Sequence, residues 1–498
     1  MQKPIVTIKD GILQGKIETD CNGNKYYSFQ GIPYGKPPIG ELRFKAPLPA
    51  ESWKGIRDST ANGNDCLINN RDPIFQRVAE SEDCLYLNLP SKSEQLQPVM
   101  FWIHGGCFVT GSGSSLVYEP NFLIPNEVVI VTINYRFGLL GFLNFEDASL
   151  DIPGNAGLKD QVLALRWVQD NIAEFCGDSR NVTVFGVSAG AASAHYLMLS
   201  PSSREAANEE EIFHIISNMS GKEVLKLQEK IPDKLEASFK RCIGPIVESE
   251  LSKTPLITQE PEDLILSGNY NEIPMIIGFN SREGLISDIQ NNDVRIYGHV
   301  VKDFEKAIPH NMNIFPETGL SKKIAKKIHK FYYGHQQSSE ENKNQYYFLQ
   351  GDNLFLWPIY STISYHAITS KKRIFLYRLS IESTLNLCKN NNKINNPGAC
   401  HGDDVTYLFK GVFTPFIIPN SIEDITVKRL TTLWTNFAKY GDPNPTVMDK
   451  LVNVNWQPIE GHKLNYLEIG EKLTVGINPD QNRMDLWKKI ALISTNKL

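Results

Sequence analysis

The sequence predicts an α/β fold: a large, mostly parallel twisted sheet with helices on both faces and an antiparallel hairpin at its N-terminal end. Three observations carry this. Five strand-sized runs are almost continuously apolar, VMFWI, VVIVTI, VTVF, IPMIIGF and RIFLYRL, as strands covered on both faces are. Between them lies a segment with apolar residues at helical spacing. The order strand, helix, strand then implies crossover units whose ligand sites gather at the carboxyl ends of the strands.

Taken in order, the opening VTIKDGILQGKI reads as a hairpin, with Asp10-Gly11 supplying the positive φ angles of a two-residue turn. Val99 to Ile103 and Val128 to Ile133 are the first two buried strands. In GLKDQVLALRWVQDNIAEF, residues Leu158, Val162, Leu165, Val168, Ile172 and Phe175 fall on one helical face. Val182 to Phe185, Ile273 to Phe279 and Arg373 to Leu379 complete the strands. KNNNKINNP, Lys389 to Pro397, is expected to be a polar loop. The whole chain, 1–498, is expected to be one domain.

Composition narrows the function. The chain has 498 residues, 41% hydrophobic and 21% charged, with a net charge of -5, so it can bury a large core and offers no polyanion-binding surface. No nucleic acid partner is expected, and no apolar run reaches the length of a membrane span. Met1 is followed by Gln2, Lys3 and Pro4 with no apolar stretch of a secretory signal, so a cytoplasmic location is expected, secretion requiring a further N-terminal segment. Eight cysteines in this length do not form a disulfide scaffold.

FGVSAGAASAH, Phe185 to His195, carries the chemistry. A random chain of this length holds G-x-S-x-G about 0.2 times, so the pentapeptide alone is weak evidence. Its setting strengthens it: a strand ends at Phe185 and a small-residue helix begins at Ala189, the context of a nucleophile elbow at Ser188. Such a serine needs a base, a group that orients the base, and N–H donors for the oxyanion. HGGCF, His104 to Phe108, follows a strand and is similar to a glycine-rich oxyanion loop.

With YYSFQGIPYGKPPIGELRFKAP, SEDCLYLN, FWIHGG, NYRFGLLGFL, PGNAGLKDQVLALRWVQDNI, GFNSREGL, HGDD and LWTNFAKYGDPNP in order along nearly the whole chain, the sequence resembles the type-B carboxylesterase and cholinesterase family of α/β-hydrolases, with the insect α-esterase branch as the nearest match. The resemblance implies Ser188 as nucleophile, Glu283 as acid and His401 as base, with Gly106, Cys107 and Ala189 as oxyanion donors. It also implies ion pairs Arg43–Glu82 and Arg136–Asp160, and a pairing of Cys66 with Cys84, which in a cytosolic protein is expected to stay reduced. No cofactor or metal is implied, and the molecule is expected to act as a monomer or weak homodimer.

Three departures bear on activity. Val187 stands where the family usually has Glu, which removes a charge near the base. Cys107 stands at the usual third glycine of the oxyanion loop. After the elbow helix, IISNMSG (Ile215 to Gly221) runs directly into KEVLKLQEKI (Lys222 to Ile231), so a few tens of residues that line the acyl side of the family's pocket are missing; AANEEE (Ala206 to Glu211) is inserted before it. With no Trp between Cys66 and Cys84 to face a quaternary ammonium, the expected substrates are small to medium apolar esters: xenobiotics, pheromones or lipid-derived signals. The alternative is a slow-turnover sequestering protein, or a non-catalytic binding protein, on the same scaffold.

Overall fold

The computed structural model describes residues 3–68, 78–91, 95–145, 148–152, 154–199, 244–249, 254–288, 300–309, 312, 314–447 and 450–495. The shortened segment and the insertion expected between Ala206 and Ile231 lie outside the described residues.

Strands β1 (Ile5–Ile8) and β2 (Gly11–Gln14) form the N-terminal hairpin with Ile8 opposite Gly11. Its turn is therefore Lys9-Asp10, one residue earlier than expected, and neither residue has positive φ. Gly11 serves a different purpose: a Cβ there would sit 2.5 Å from Trp53 Nε1. The glycine admits the indole, whose N–H donates to the Ile12 carbonyl.

The described strands of three residues or more then run β3 (Lys16–Thr19), β4 (Lys25–Pro33), β5 (Ile56–Asp58), β6 (Tyr86–Ser91), β7 (Gln97–Ile103), β8 (Val129–Ile133), β9 (Gly177–Gly186), β10 (Met275–Asn280), β11 (Ile374–Leu379), β12 (Asn465–Ile469) and β13 (Leu473–Ile477). All five apolar runs are strands. One ladder has the order β9-β7-β8-β6-β4-β3 and a second the order β10-β11-β12-β13. The α/β expectation holds, with a refinement. Pairing is parallel for β7 with β8 and β9, and for β11 with β10 and β12. It is antiparallel for β3–β4, β4–β6, β6–β8 and β12–β13. The hairpins β3–β4 and β12–β13 have connections too short for a crossover, which a parallel pair requires.

Strand alternation divides the core. Val99, Phe101, Ile103, Val129, Val131 and Ile133 join one cluster with helix α1 (Ala156–Asn171). Met100, Trp102 and Ile130 face the other way, with Phe375, Tyr377 and Leu379, against the later helix Ile422–Tyr440. Helices thus cover both faces. On α1 the large apolar side chains that are buried include Leu158, Leu163, Trp167 and Val168, while Val162 and Leu165 are only half-buried. The period was readable, but the buried face is centred away from Val162 and Leu165 and takes in Leu163 and Trp167. Helix α2 (Ala189–Leu199) follows the elbow, α3 (Trp357–Thr369) lies in the second half, and α4 (Leu387–Asn391) is a short turn. The polar loop expected from Lys389 to Pro397 holds for 392–397, which are mostly exposed, but its first three residues belong to α4; Lys389 and Ile394 are buried, and Lys389 Nζ pairs with Glu382 at 2.5 Å and donates to the Gly398 carbonyl at 3.0 Å.

Candidate active site

At the end of β9, Phe185 and Gly186 lie in register with Trp102 and Ile103 of β7, and the chain turns sharply into α2. Ser188 sits at the pivot with φ +55°, the left-handed region that costs a residue with a Cβ about 1–2 kcal/mol. Two glycines make the turn possible. A Cβ on Gly186 would sit 2.6 Å from the Ile103 carbonyl oxygen, and one on Gly190 2.0 Å from it. The Gly190 and Ala192 amides donate to the Val187 and Ser188 carbonyls at 2.8 and 3.0 Å, closing the first turn of α2.

The loop after β7 lies directly against this elbow, since a Cβ on Gly105 would be 2.8 Å from the Val187 oxygen and 3.1 Å from Ser188 Cβ. His104 anchors the loop rather than reacting. It is buried, stacked on Tyr135 with centroids 4.4 Å apart, and its Nδ1–H donates to the Gly105 carbonyl at 2.8 Å. Burial lowers its pKa to about 4 despite that bond, so the ring is neutral. Gly106, Cys107 and Phe108 all have positive φ, +115°, +57° and +60°. Among the described residues, the amides of Gly106, Cys107 and Ala189 donate to no protein acceptor, and the three belong to the two segments that meet here.

Glu283 and His401 come from loops that leave β10 and β11. The two oxygens of the buried Glu283 carboxylate are fully used: Oε1 accepts from the Asn280 amide at 2.6 Å, and Oε2 accepts from His401 Nδ1 at 2.6 Å. The loops are tied together by the Arg282 amide donating to the Ala399 carbonyl (2.9 Å), the Ala399 amide to Ser281 Oγ (3.1 Å), and Asn280 Nδ2 to the Cys400 carbonyl (2.7 Å). Phe355 packs on the imidazole with centroids 4.3 Å apart. Burial opposes a charge on His401, but the Glu283 charge and hydrogen bond, with smaller help from Asp404 and Asp403, outweigh it, so its pKa is raised above the ordinary histidine value.

Asp403 and Asp404 were in the HGDD motif but gained no role from the sequence. Asp403 braces the His401 loop, accepting from the Cys400 amide (2.7 Å), the Lys389 amide (3.2 Å) and Asn386 Nδ2 (3.1 Å). Asp404 accepts from the Tyr377 hydroxyl (2.7 Å) and Asn280 Nδ2 (3.1 Å). Two adjacent carboxylates separated from the histidine by one residue were the available signal. Asn280 and Ser281 lay in the quoted GFNSREGL stretch without a role of their own, and Phe355 had no signal, because these roles exist only once the loops meet.

Phe185 and Val187, flanking the elbow, pack against the cluster that holds Ala399 and Phe409, together with Val405. Glu283 and His401 are joined directly, and Ser188 is joined to the Gly105 loop. Among the described residues, Ser188 Oγ makes no hydrogen bond to His401.

The flanking pairs are also present. Arg43 Nε lies 2.5 Å from Glu82, and Arg136 Nη2 lies 2.7 Å from Asp160, whose side chain is fully buried. Cys66 and Cys84 are bonded to each other, which corrects the expectation that they stay reduced. No described helix is long and apolar enough to cross a membrane.

Comparison with known proteins agrees with this architecture. The chain is 30% identical to juvenile hormone esterase of Tribolium castaneum, covering 98% of this chain and 94% of that protein, and 30% identical to esterase B1 of Culex pipiens, covering 97% of each. The fold superimposes on juvenile hormone esterase from Manduca sexta, solved with OTFP covalently attached, with a TM-score of 0.86 at 27% identity over 98% of this chain and 99% of that one. The carboxylesterase family profile matches residues 2–214 and 205–487. The chain therefore belongs to the carboxylesterase family and is a carboxylic ester hydrolase with the α/β-hydrolase fold.

Proposed function

We propose that the protein hydrolyses neutral, small to medium apolar carboxylic esters through an acyl-enzyme on Ser188. The observation that carries the reading is the 2.6 Å bond from His401 Nδ1 to Glu283. It commits the Nδ1 proton to the carboxylate and leaves Nε2 as the basic nitrogen. Ser188 Oγ attacks the ester carbonyl as His401 Nε2 takes its proton. The amides of Gly106, Cys107 and Ala189 stabilise the oxyanion, and His401 passes the proton to the departing alcohol. Water then enters, loses a proton to His401 and attacks the acyl carbon; the acyl–Oγ bond breaks, His401 returns the proton to Ser188 Oγ, and the acid leaves.

Val187 places no charge beside the base, which supports neutral over cationic substrates. Cys107 adds a side chain to the oxyanion loop and supports a narrower acyl site than a glycine there. A slow-turnover, sequestering role is the second reading, favoured by Val187 and by the unjoined Ser188 and His401. Titration with an organophosphate alongside turnover of a p-nitrophenyl ester separates them: labelling with turnover supports the hydrolase, and labelling without turnover supports sequestration. The bonded Cys66 and Cys84 support an oxidising compartment rather than the cytoplasm.

A further inference from the structure

Outside the bonded pair, two cysteines among the described residues, Cys388 and Cys400, meet next to His401. Cys400 immediately precedes the histidine and is completely buried; Cys388, on α4, is half-buried and packs into the small cluster that Cys400 forms with Leu285, Tyr347 and Ile394. The two side chains therefore share one small apolar cluster beside the histidine. Their backbones are clamped together independently: the two oxygens of Asp403 accept from the Lys389 amide, one residue past Cys388, at 3.2 Å and from the Cys400 amide at 2.7 Å.

We propose that Cys388 and Cys400 are an oxidisable dithiol, a modification site that a hydroperoxide converts to a disulfide, and that bond formation displaces His401. The more exposed Cys388 reacts first. Its thiolate attacks the peroxide oxygen, the O–O bond breaks, and the products are Cys388 sulfenic acid and an alcohol or water. Cys400 sulfur then attacks the sulfenic sulfur and expels its oxygen as water. The two thiols lose two electrons and two protons in all, and the hydroperoxide is reduced.

A disulfide holds its sulfurs at about 2.0 Å, well inside the contact distance of two unbonded thiols, so bond formation draws Cys400 and α4 together. That movement is not absorbed locally, because the Cys400 carbonyl is bonded to Asn280 Nδ2 at 2.7 Å, and Asn280 also donates its amide to Glu283. The strain falls on the His401–Glu283 bond. The effect on turnover rests on His401 being the base; the thiol chemistry does not.

The experiment treats the purified protein with hydrogen peroxide, alkylates the remaining thiols, maps the peptides by non-reducing mass spectrometry and follows p-nitrophenyl butyrate hydrolysis. Expected are a 388–400 cross-link that lacks two hydrogen atoms, and a fall in kcat of about tenfold, as misplacement of a reacting group produces. Dithiothreitol restores both. Cys388→Ser, and Cys388→Ala as a second variant, keep basal activity and lose the peroxide response. The proposal is overturned if the two sulfurs oxidise separately, if the cross-link forms with kcat unchanged, or if inactivation persists in both variants and so traces to Cys107. The cross-link is also mapped in Ser188→Ala, so a failure of the hydrolase reading leaves the thiol result legible.

Discussion

Replacing Glu283 by Gln removes one charge and almost no volume. In the native arrangement the carboxylate accepts two hydrogen bonds of 2.6 Å, from the Asn280 amide and from His401 Nδ1. A carboxamide has one accepting and one donating end, so it cannot meet both donors. If its oxygen stays on Asn280, its NH2 faces His401 Nδ1. The imidazole must then accept at Nδ1 and carry its proton on Nε2, the wrong tautomer for taking a proton from Ser188. If it flips, NH2 opposes the Asn280 amide, and the buried donor clash costs about 1–3 kcal/mol of stability. Turnover is expected to fall about 10³–10⁴-fold, about 4–5.5 kcal/mol in activation free energy.

The pH profile supplies a second reading of the same variant. With Glu283 neutral, burial is left as the leading influence on His401, and it lowers the pKa; the acid limb of residual kcat/KM must move to lower pH than in the wild type. Steady-state kinetics from pH 5 to 9, with circular dichroism to confirm folding, measures both. Activity within tenfold of wild type, or an acid limb that stays in place, refutes the assignment of Glu283 as the residue that holds the base.

In the wild type itself, the raised pKa of His401 means that the active neutral base is lost on descending through a midpoint above the ordinary 6.5; a kcat/KM profile flat from pH 5 to 8 with chemistry rate-limiting contradicts this. Gly190→Ala puts a methyl 2.0 Å from the Ile103 oxygen, so it is expected to abolish organophosphate labelling or folding, measured by intact mass and thermal melt, whereas Gly402→Ala meets no neighbouring atom within 4 Å and bears only the modest strain of its φ of +81°. Arg136→Met strands the fully buried Asp160 carboxylate and is expected to cost about 3–5 kcal/mol in urea unfolding, with the double variant Arg136→Met, Asp160→Leu recovering most of it. Equal destabilisation of single and double variants contradicts the ion-pair account.

The legible parts of the fold were those written in local pattern. The apolar runs Val99–Ile103 and Val128–Ile133 had to be strands because nothing else buries both faces of so short a segment, and glycines on either side of Ser188 had to mark a turn too tight for Cβ atoms. What the sequence hid was long-range. Gly11 was read as a turn residue because Trp53, which actually requires it, lies more than forty residues away. Lys389 looked like solvated loop until α4 brought it under Glu382. The bracing of His401 by Asp403 and Asn280 depends on two loops meeting across separate strands, and no spacing within either loop encodes the meeting. Ser188 was legible from its pentapeptide set between a strand and a small-residue helix; Glu283 and His401 needed family resemblance to be singled out, although the structure then joined those two most directly.

The central claim is that Ser188 carries the acyl group. A p-nitrophenyl carbamate, whose carbamoyl-enzyme releases slowly, tests it in one measurement: nitrophenolate released in the first turnover, with peptide mapping of the quenched protein. The account predicts one nitrophenolate and one carbamoyl group per active chain, the group on Ser188, with none of either from Ser188→Ala. A carbamoyl group on another residue, or an undiminished release from Ser188→Ala, would contradict it.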